Sequence, residues 1–228
     1  MSLTEFSTWG ALREEVCRVG RSLFERGYVH ATAGNISVRV PEALGDGFLI
    51  TPTDACLGFL SPDALAWVGT DGQQISGARA SKTLALHRRI YEAQPQARCV
   101  IHTHSTHLVA WSLRKPVAGA EWLPPITPYF VMKVGRVPLI PYHRPGDPAV
   151  ADAVATQMEG ARAAGRELRA VMLERLGPNV WGPTPAATMA VLEELEETAR
   201  LCLMSPEMPE PLSAMQIDEL RQHFSAPW

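Results

Sequence analysis

Arg98-Cys-Val-Ile-His-Thr-His104 is apolar and β-prone up to its histidines, and at Ser105 the pattern switches abruptly to helical spacing. A strand that feeds a helix in this way puts His102 and His104 at the strand's C-terminal end, where open α/β sheets gather their sites. Side chains two apart on a strand project from one face, so both imidazoles can reach a single point. H-x-H is therefore a metal-ligand spacing, although an isolated pair serves as often as satisfied core or surface groups; the strand-end position favours the ligand reading. A metal needs at least one more ligand. His107 and His143 are free for that, but His107, one turn into a helix, reads as a packing residue.

Outward from this strand the pattern alternates between the two periods. A helix from Ser81, with Leu84, His87, Ile90 and Tyr91 on one side, ends before Pro95. Earlier, Trp9, Leu12, Val16, Val19 and Leu23 mark an amphipathic helix that stops at Gly27, and Ile36, Val38 and Val40 alternate with Ser37 and Arg39 as a half-buried strand. Phe48-Leu-Ile50 is a second strand. Ser61-Pro62 opens a short helix, and Leu65 to Val68 pairs across Asp71-Gly72 with Gln74 to Ser76. Downstream, strands are expected at 137–140 and 170–173 with a helix opening at Asp147-Pro148 between them. A long helix from Thr184-Pro185 carries Thr188, Leu192, Leu195, Ala199 and Cys202 opposite a run of glutamates. A Pro-rich spacer from Ser205 to Pro211 leads to a last short helix capped by Ser213 and Gln216. Intermingled strands and helices, with hairpins beside longer crossovers, predict an α/β layered domain with a mixed sheet.

The 228 residues are 46% hydrophobic and 20% charged, which excludes disorder and fibrous architecture. Twenty-one Lys and Arg against twenty-four Asp and Glu, without a basic run, argue against a nucleic-acid partner. Four scattered cysteines (Cys17, Cys56, Cys99, Cys202) show no close pairing, so reduced thiols are expected. No stretch approaches eighteen apolar residues; the expectation is a cytoplasmic protein with no membrane partner.

Three segments outside the central strand offer donors. The turn Gly34-Asn35, the loop Thr51-Pro-Thr53 and Ser81-Lys82 at a helix start make a phosphate site if they converge, since turn amides and helix N-termini favour anions. Each alone is more often a plain turn or cap. Tyr129 and Tyr142 could act as acids but read first as core residues; Asp54 and Glu174 are candidate carboxylates, and Asp147 is better explained as a cap.

Thr32-Ala-Gly-Asn-Ile-Ser37, Ile50-Thr-Pro-Thr53, Ser81-Lys82, His102-Thr-His104 and the closing helix with Glu193, Glu194 and Glu196 together resemble the class II aldolase/adducin family over residues 9 to 204. Ile126 to Gly135 and Pro141 to Pro148 look like its branch of 3-oxo-tetronate 4-phosphate decarboxylases. The resemblance implies a three-layer α/β/α domain with a central mixed, largely antiparallel sheet over residues 1–204, followed by the spacer and helix of 205–228. It implies a homotetramer with sites between subunits, a phosphorylated sugar-acid substrate, and a divalent metal, usually zinc, with manganese or cobalt as alternatives, held by three histidines. By position His102 and His104 match metal ligands, Asn35, Thr53, Ser81 and Lys82 match the phosphate site, and Tyr129 falls near the catalytic tyrosine. Two positions depart: Leu176 stands where the family has its third histidine, and Thr83 where it has an acid/base glutamate. The expected function is a metal-dependent carbon–carbon lyase that decarboxylates 3-oxo-tetronate 4-phosphate to dihydroxyacetone phosphate. The alternatives are an aldolase on another sugar phosphate and a family member that only binds.

Overall fold

A computed structural model describes residues 8–115, 119 and 121–228. The chain opens with α1 (Trp9–Glu25), capped by the Thr8 hydroxyl, which accepts from the Ala11 N–H. There follow β1 (Asn35–Arg39), β2 (Phe48–Ile50), β3 (Ala66–Val68), β4 (Gln74–Ser76), α2 (Leu84–Ala93), β5 (Cys99–His102) and α3 (Thr106–Ser112). The second half contains α4 (Pro128–Lys133), β6 (Leu139–Ile140), α5 (Ala149–Ala163), β7 (Ala170–Leu173), β8 (Gly177–Gly182), α6 (Pro185–Met204) and α7 (Ala214–Phe224). The sequence patterns miss α4, which is short, and β8, whose glycines, proline and asparagine disguise a strand. The Ser61-Pro62 start yields only a 3-10 turn, without a side-chain cap.

The eight strands form one sheet in the order β4-β3-β2-β1-β5-β8-β7-β6, antiparallel throughout except for the β6–β7 pair. This is the expected mixed, largely antiparallel sheet, with helices on both faces. One face presents Ile36, Val38, Cys99, Ile101, Met172 and Val180 to α1, α3, α4 and α6. The other presents Phe48, Ile50, Val100, Val171, Leu173 and Trp181 to α2 and α5.

Burial on two faces corrects the reading of β1 as half-buried. Ser37 is fully buried under α2, and its hydroxyl is bonded to His87 Nδ1 at 2.8 Å and to the Tyr91 hydroxyl at 2.9 Å. A polar residue keeps its place on the inner face because the helix above brings partners. The C-terminal helix α7 packs on α4 of its own chain, and Trp228 closes the first core with its ring 5.9 Å from that of Phe130.

Candidate active site

The register of the central strands brings the predicted residues together. Asn35 lies opposite His102 across the β1–β5 pair, and Asn179 lies opposite His102 across β5–β8. All three occupy the sheet face that α2 covers, by the alternation of side chains along each strand. Pro52 pairs with Ala80, and the Thr53 N–H donates to the Arg79 carbonyl at 2.9 Å, so the Thr51–Thr53 loop runs beside Ser81 at the start of α2. The Thr51 N–H donates to the Ile36 carbonyl, so this loop and the Ser81-Lys82 segment lie beside the strand whose Asn35 faces His102. Gly34, at φ +84°, makes the approach possible: a Cβ there would stand 2.8 Å from the His102 carbonyl oxygen.

His102 is 8% exposed, and its Nδ1 lies 2.8 Å from the Pro178 carbonyl oxygen. A carbonyl only accepts, so Nδ1 carries the proton and Nε2 presents a lone pair. Burial, with His104 nearby, pushes the His102 imidazole down to about 4. The two rings stand 5.1 Å apart, edge to face, and His104 is lowered as well, by burial and by His30, an exposed residue before β1 that the sequence pattern did not single out. His87, buried above the row, is pushed down to about 3 by desolvation, helped by His102.

These depressed values set an acid limit. A histidine neutral in the fold but with an ordinary pKa of 6.5 when unfolded stabilises the protein fully above pH 6.5, and that contribution is lost as pH falls toward 3. The urea midpoint is expected to drop steadily between pH 6.5 and pH 4; a flat profile there would contradict the burial of His87 and His102 as neutral groups.

The other candidates stand elsewhere. Tyr129 is 59% exposed on α4, with the Lys133 ammonium over its ring at 5.6 Å, on the helical layer opposite α2. Tyr142 is also exposed, so neither phenol is the core residue its type suggests. Asp147 accepts from the Ala149 N–H at the start of α5, one residue before the N-cap position, which is Pro148 and has no side-chain cap. His107 is not simply packed: its N–H and ring are both held by Glu196.

A divalent metal finds an incomplete set of ligands. His143 faces Asp147 at 4.0 Å, and Glu174 accepts from the Tyr142 N–H at 3.0 Å. Leu176 packs against the second core, and the Thr83 hydroxyl is 2.7 Å from that of Ser81. Among the described residues, no group of three His, Cys, Asp or Glu side chains is arranged so that it could hold a metal ion. The residues present do not fit a three-histidine metal centre built by this chain alone.

Comparison with known proteins agrees with this architecture. A curated 3-oxo-tetronate 4-phosphate decarboxylase from Cupriavidus necator is 52% identical over 97% of this chain and 100% of its own length. The solved structure of YgbL from Escherichia coli superposes with a TM-score of 0.84 at 37% identity, covering 93% of this chain and 99% of that one. An L-fuculose 1-phosphate aldolase superposes with a TM-score of 0.80 at 22% identity, over 97% and 99% of the two chains, a likeness of fold. The family model for the class II aldolase and adducin N-terminal domain matches residues 14–203, and the chain belongs to that family.

Proposed function

We propose that this lyase removes carbon dioxide from 3-oxo-tetronate 4-phosphate and releases dihydroxyacetone phosphate. The observation that supports the reading is Asn35 opposite His102 at the end of the central strands, with the Thr51–Thr53 loop hydrogen-bonded on one side to β1 and bridged on the other to the segment that leads into Ser81 and Lys82. It is joined to 52% identity with a decarboxylase of that name.

The phosphate is held by the Lys82 ammonium, the Ser81 and Thr53 hydroxyls and the amide of Asn35, beside the positive end of α2. That grip sets the acid end of the substrate toward the histidines. The bond between the carboxylate carbon and C2 breaks, its electron pair moves into C2–C3, and negative charge collects on the C3 oxygen. A proton then returns to C2. Because losing carbon dioxide creates the enediolate, no base is needed to deprotonate carbon, and a threonine at position 83 is compatible with this chemistry. It removes the base that aldol condensation needs, since that direction begins with deprotonation of carbon.

Tyr129 is the proposed proton donor. Its exposure on α4 fits a role in the site of a neighbouring copy within a homotetramer. The family usually works with a divalent metal. Zinc, before manganese or cobalt, would meet only His102 and His104 here. Among the described residues no helix is long and apolar enough to cross a membrane. The proposed setting is the cytoplasm, in sugar-acid metabolism.

Coupled detection of carbon dioxide and dihydroxyacetone phosphate from the synthetic substrate tests the reading; no turnover with or without added metal would end it. Lys82→Ala is expected to raise KM by roughly 10- to 100-fold, as for a lost charge-assisted contact, with a smaller change in kcat. An unchanged KM would remove Lys82 from the phosphate site.

A further inference from the structure

Resting on the decarboxylase reading, we propose that within the cross-strand row Asn35–His102–Asn179 it is His102 and Asn179 that bind the hydroxy-ketone part of the substrate through neutral hydrogen bonds, so that the reaction runs without a divalent metal.

Asn179 has no exposed surface, yet neither its Oδ1 nor its Nδ2 has a partner. Asn35 Oδ1, on the other side of His102, is likewise buried and unpaired, and so is His87 Nε2 above the row. Four of the seven such atoms among the described residues thus surround one histidine. Buried polar atoms are almost always paired, and a concentration of exceptions marks a place where a ligand or water supplies the bonds. An asparagine in the middle of a buried strand, with Val171 opposite it on β7, is otherwise a poor choice.

The donors and acceptors suit one chemical class. His102 offers a lone pair at Nε2, because its Nδ1–H is committed to the Pro178 carbonyl. Asn179 offers N–H donors one strand away, roughly 5 Å between Cβ atoms. An α-hydroxy ketone carries one hydroxyl donor and one oxo acceptor on adjacent carbons. The hydroxyl on C2 donates to His102 Nε2, and the C3 oxo group accepts from Asn179 Nδ2. When the C1–C2 bond breaks, its electron pair ends on the C3 oxygen, facing the Asn179 N–H; carbon dioxide leaves and C2 takes up a proton. No oxidant, reductant or metal enters that balance. Asn179 is shut off from bulk water, which strengthens its hydrogen bond to the developing charge.

The test uses the full chain stripped with EDTA, its metal content checked by elemental mass spectrometry. Dihydroxyacetone phosphate binding is measured by calorimetry beside glycerol 3-phosphate, which has the phosphate but lacks the oxo group. Carbon dioxide release is followed in parallel. Binding and turnover are expected to survive EDTA. Asn179→Val is expected to weaken dihydroxyacetone phosphate binding by roughly 10-fold and to lower kcat by about 100-fold, as for the loss of one oxyanion donor, while glycerol 3-phosphate binds as before. Its melting temperature should hold or rise, since an unpaired buried amide is removed. Loss of turnover in EDTA with recovery on added zinc would overturn the proposal, as would equal binding of dihydroxyacetone phosphate by the valine variant. EDTA-resistant, Asn179-dependent binding with no carbon dioxide release under any condition would support the row as a hydroxy-ketone site while ending the decarboxylase reading.

Discussion

Gly177→Ala is expected to abolish activity and to lower the melting temperature by about 10 °C, the counterpart of a loss of roughly 3–5 kcal/mol in a chain of this length. Gly177 starts β8 at φ +133°, a conformation that L side chains rarely adopt. An added Cβ would drive into the Thr103 carbonyl oxygen and come within 3.3 Å of His104 Cα. Backbone cannot swing aside as a flexible side chain can, so β8 must move away from β5 where His102 faces Asn179 and where Pro178 holds the His102 ring. Strain and lost site geometry therefore arrive together. Thermal unfolding and a carbon dioxide assay on the same preparation check both; a variant that melts with the parent and retains turnover would show that the two strands have slack here.

Glu196→Ala should cost about 3 kcal/mol, or roughly 6–12 °C, without touching the substrate. Glu196 is 2% exposed, and its carboxylate accepts from the N–H groups of His107 and Leu108 and from His107 Nδ1, at 2.8 to 3.0 Å. It neutralises the start of α3 from the neighbouring helix α6, where a negative charge meets the helix dipole and unpaired amides. Alanine leaves two buried amides without an acceptor and a void between α3 and α6. Glu196→Gln, which can still accept but adds donors facing donors, should fall between the parent and alanine. Urea unfolding of the three proteins gives the order; alanine equal to the parent would mean that water replaces the carboxylate freely.

Glu196 also shows where pattern reading stops. It lies in a run of four glutamates broken only by Leu195, and a charge run ordinarily faces solvent. Its neighbours Glu193 and Glu197 do remain at least partly exposed, whereas Glu196 turns toward α3. That difference depends on an amide pair 88 and 89 residues earlier in the chain, which no local window contains. His107 carries the same lesson from the other side. One turn into a helix it reads as packing, and only contact with α6 gives it a bonded partner.

What the sequence by itself determined was local. The strands around Ile36 and Phe48, the switch at Ser105, the helix starts at Thr184 and Ser213 and the stripe on α6 each rest on a preference acting within a few residues, and the folded chain keeps them. The motifs around Asn35, Ser81 and His102 were legible for the same reason, as was their resemblance to one family. The tertiary structure alone decided what lies across from what. Asn179 sits in a segment whose glycines and proline hide a strand, and its place beside His102 follows from the β5–β8 register, a pairing across more than seventy residues. The burial of Ser37 likewise required α2 to close over the sheet. Hydrogen-bond pairing between distant strands and burial by distant helices are set by the global packing minimum, to which no short stretch of residues has access.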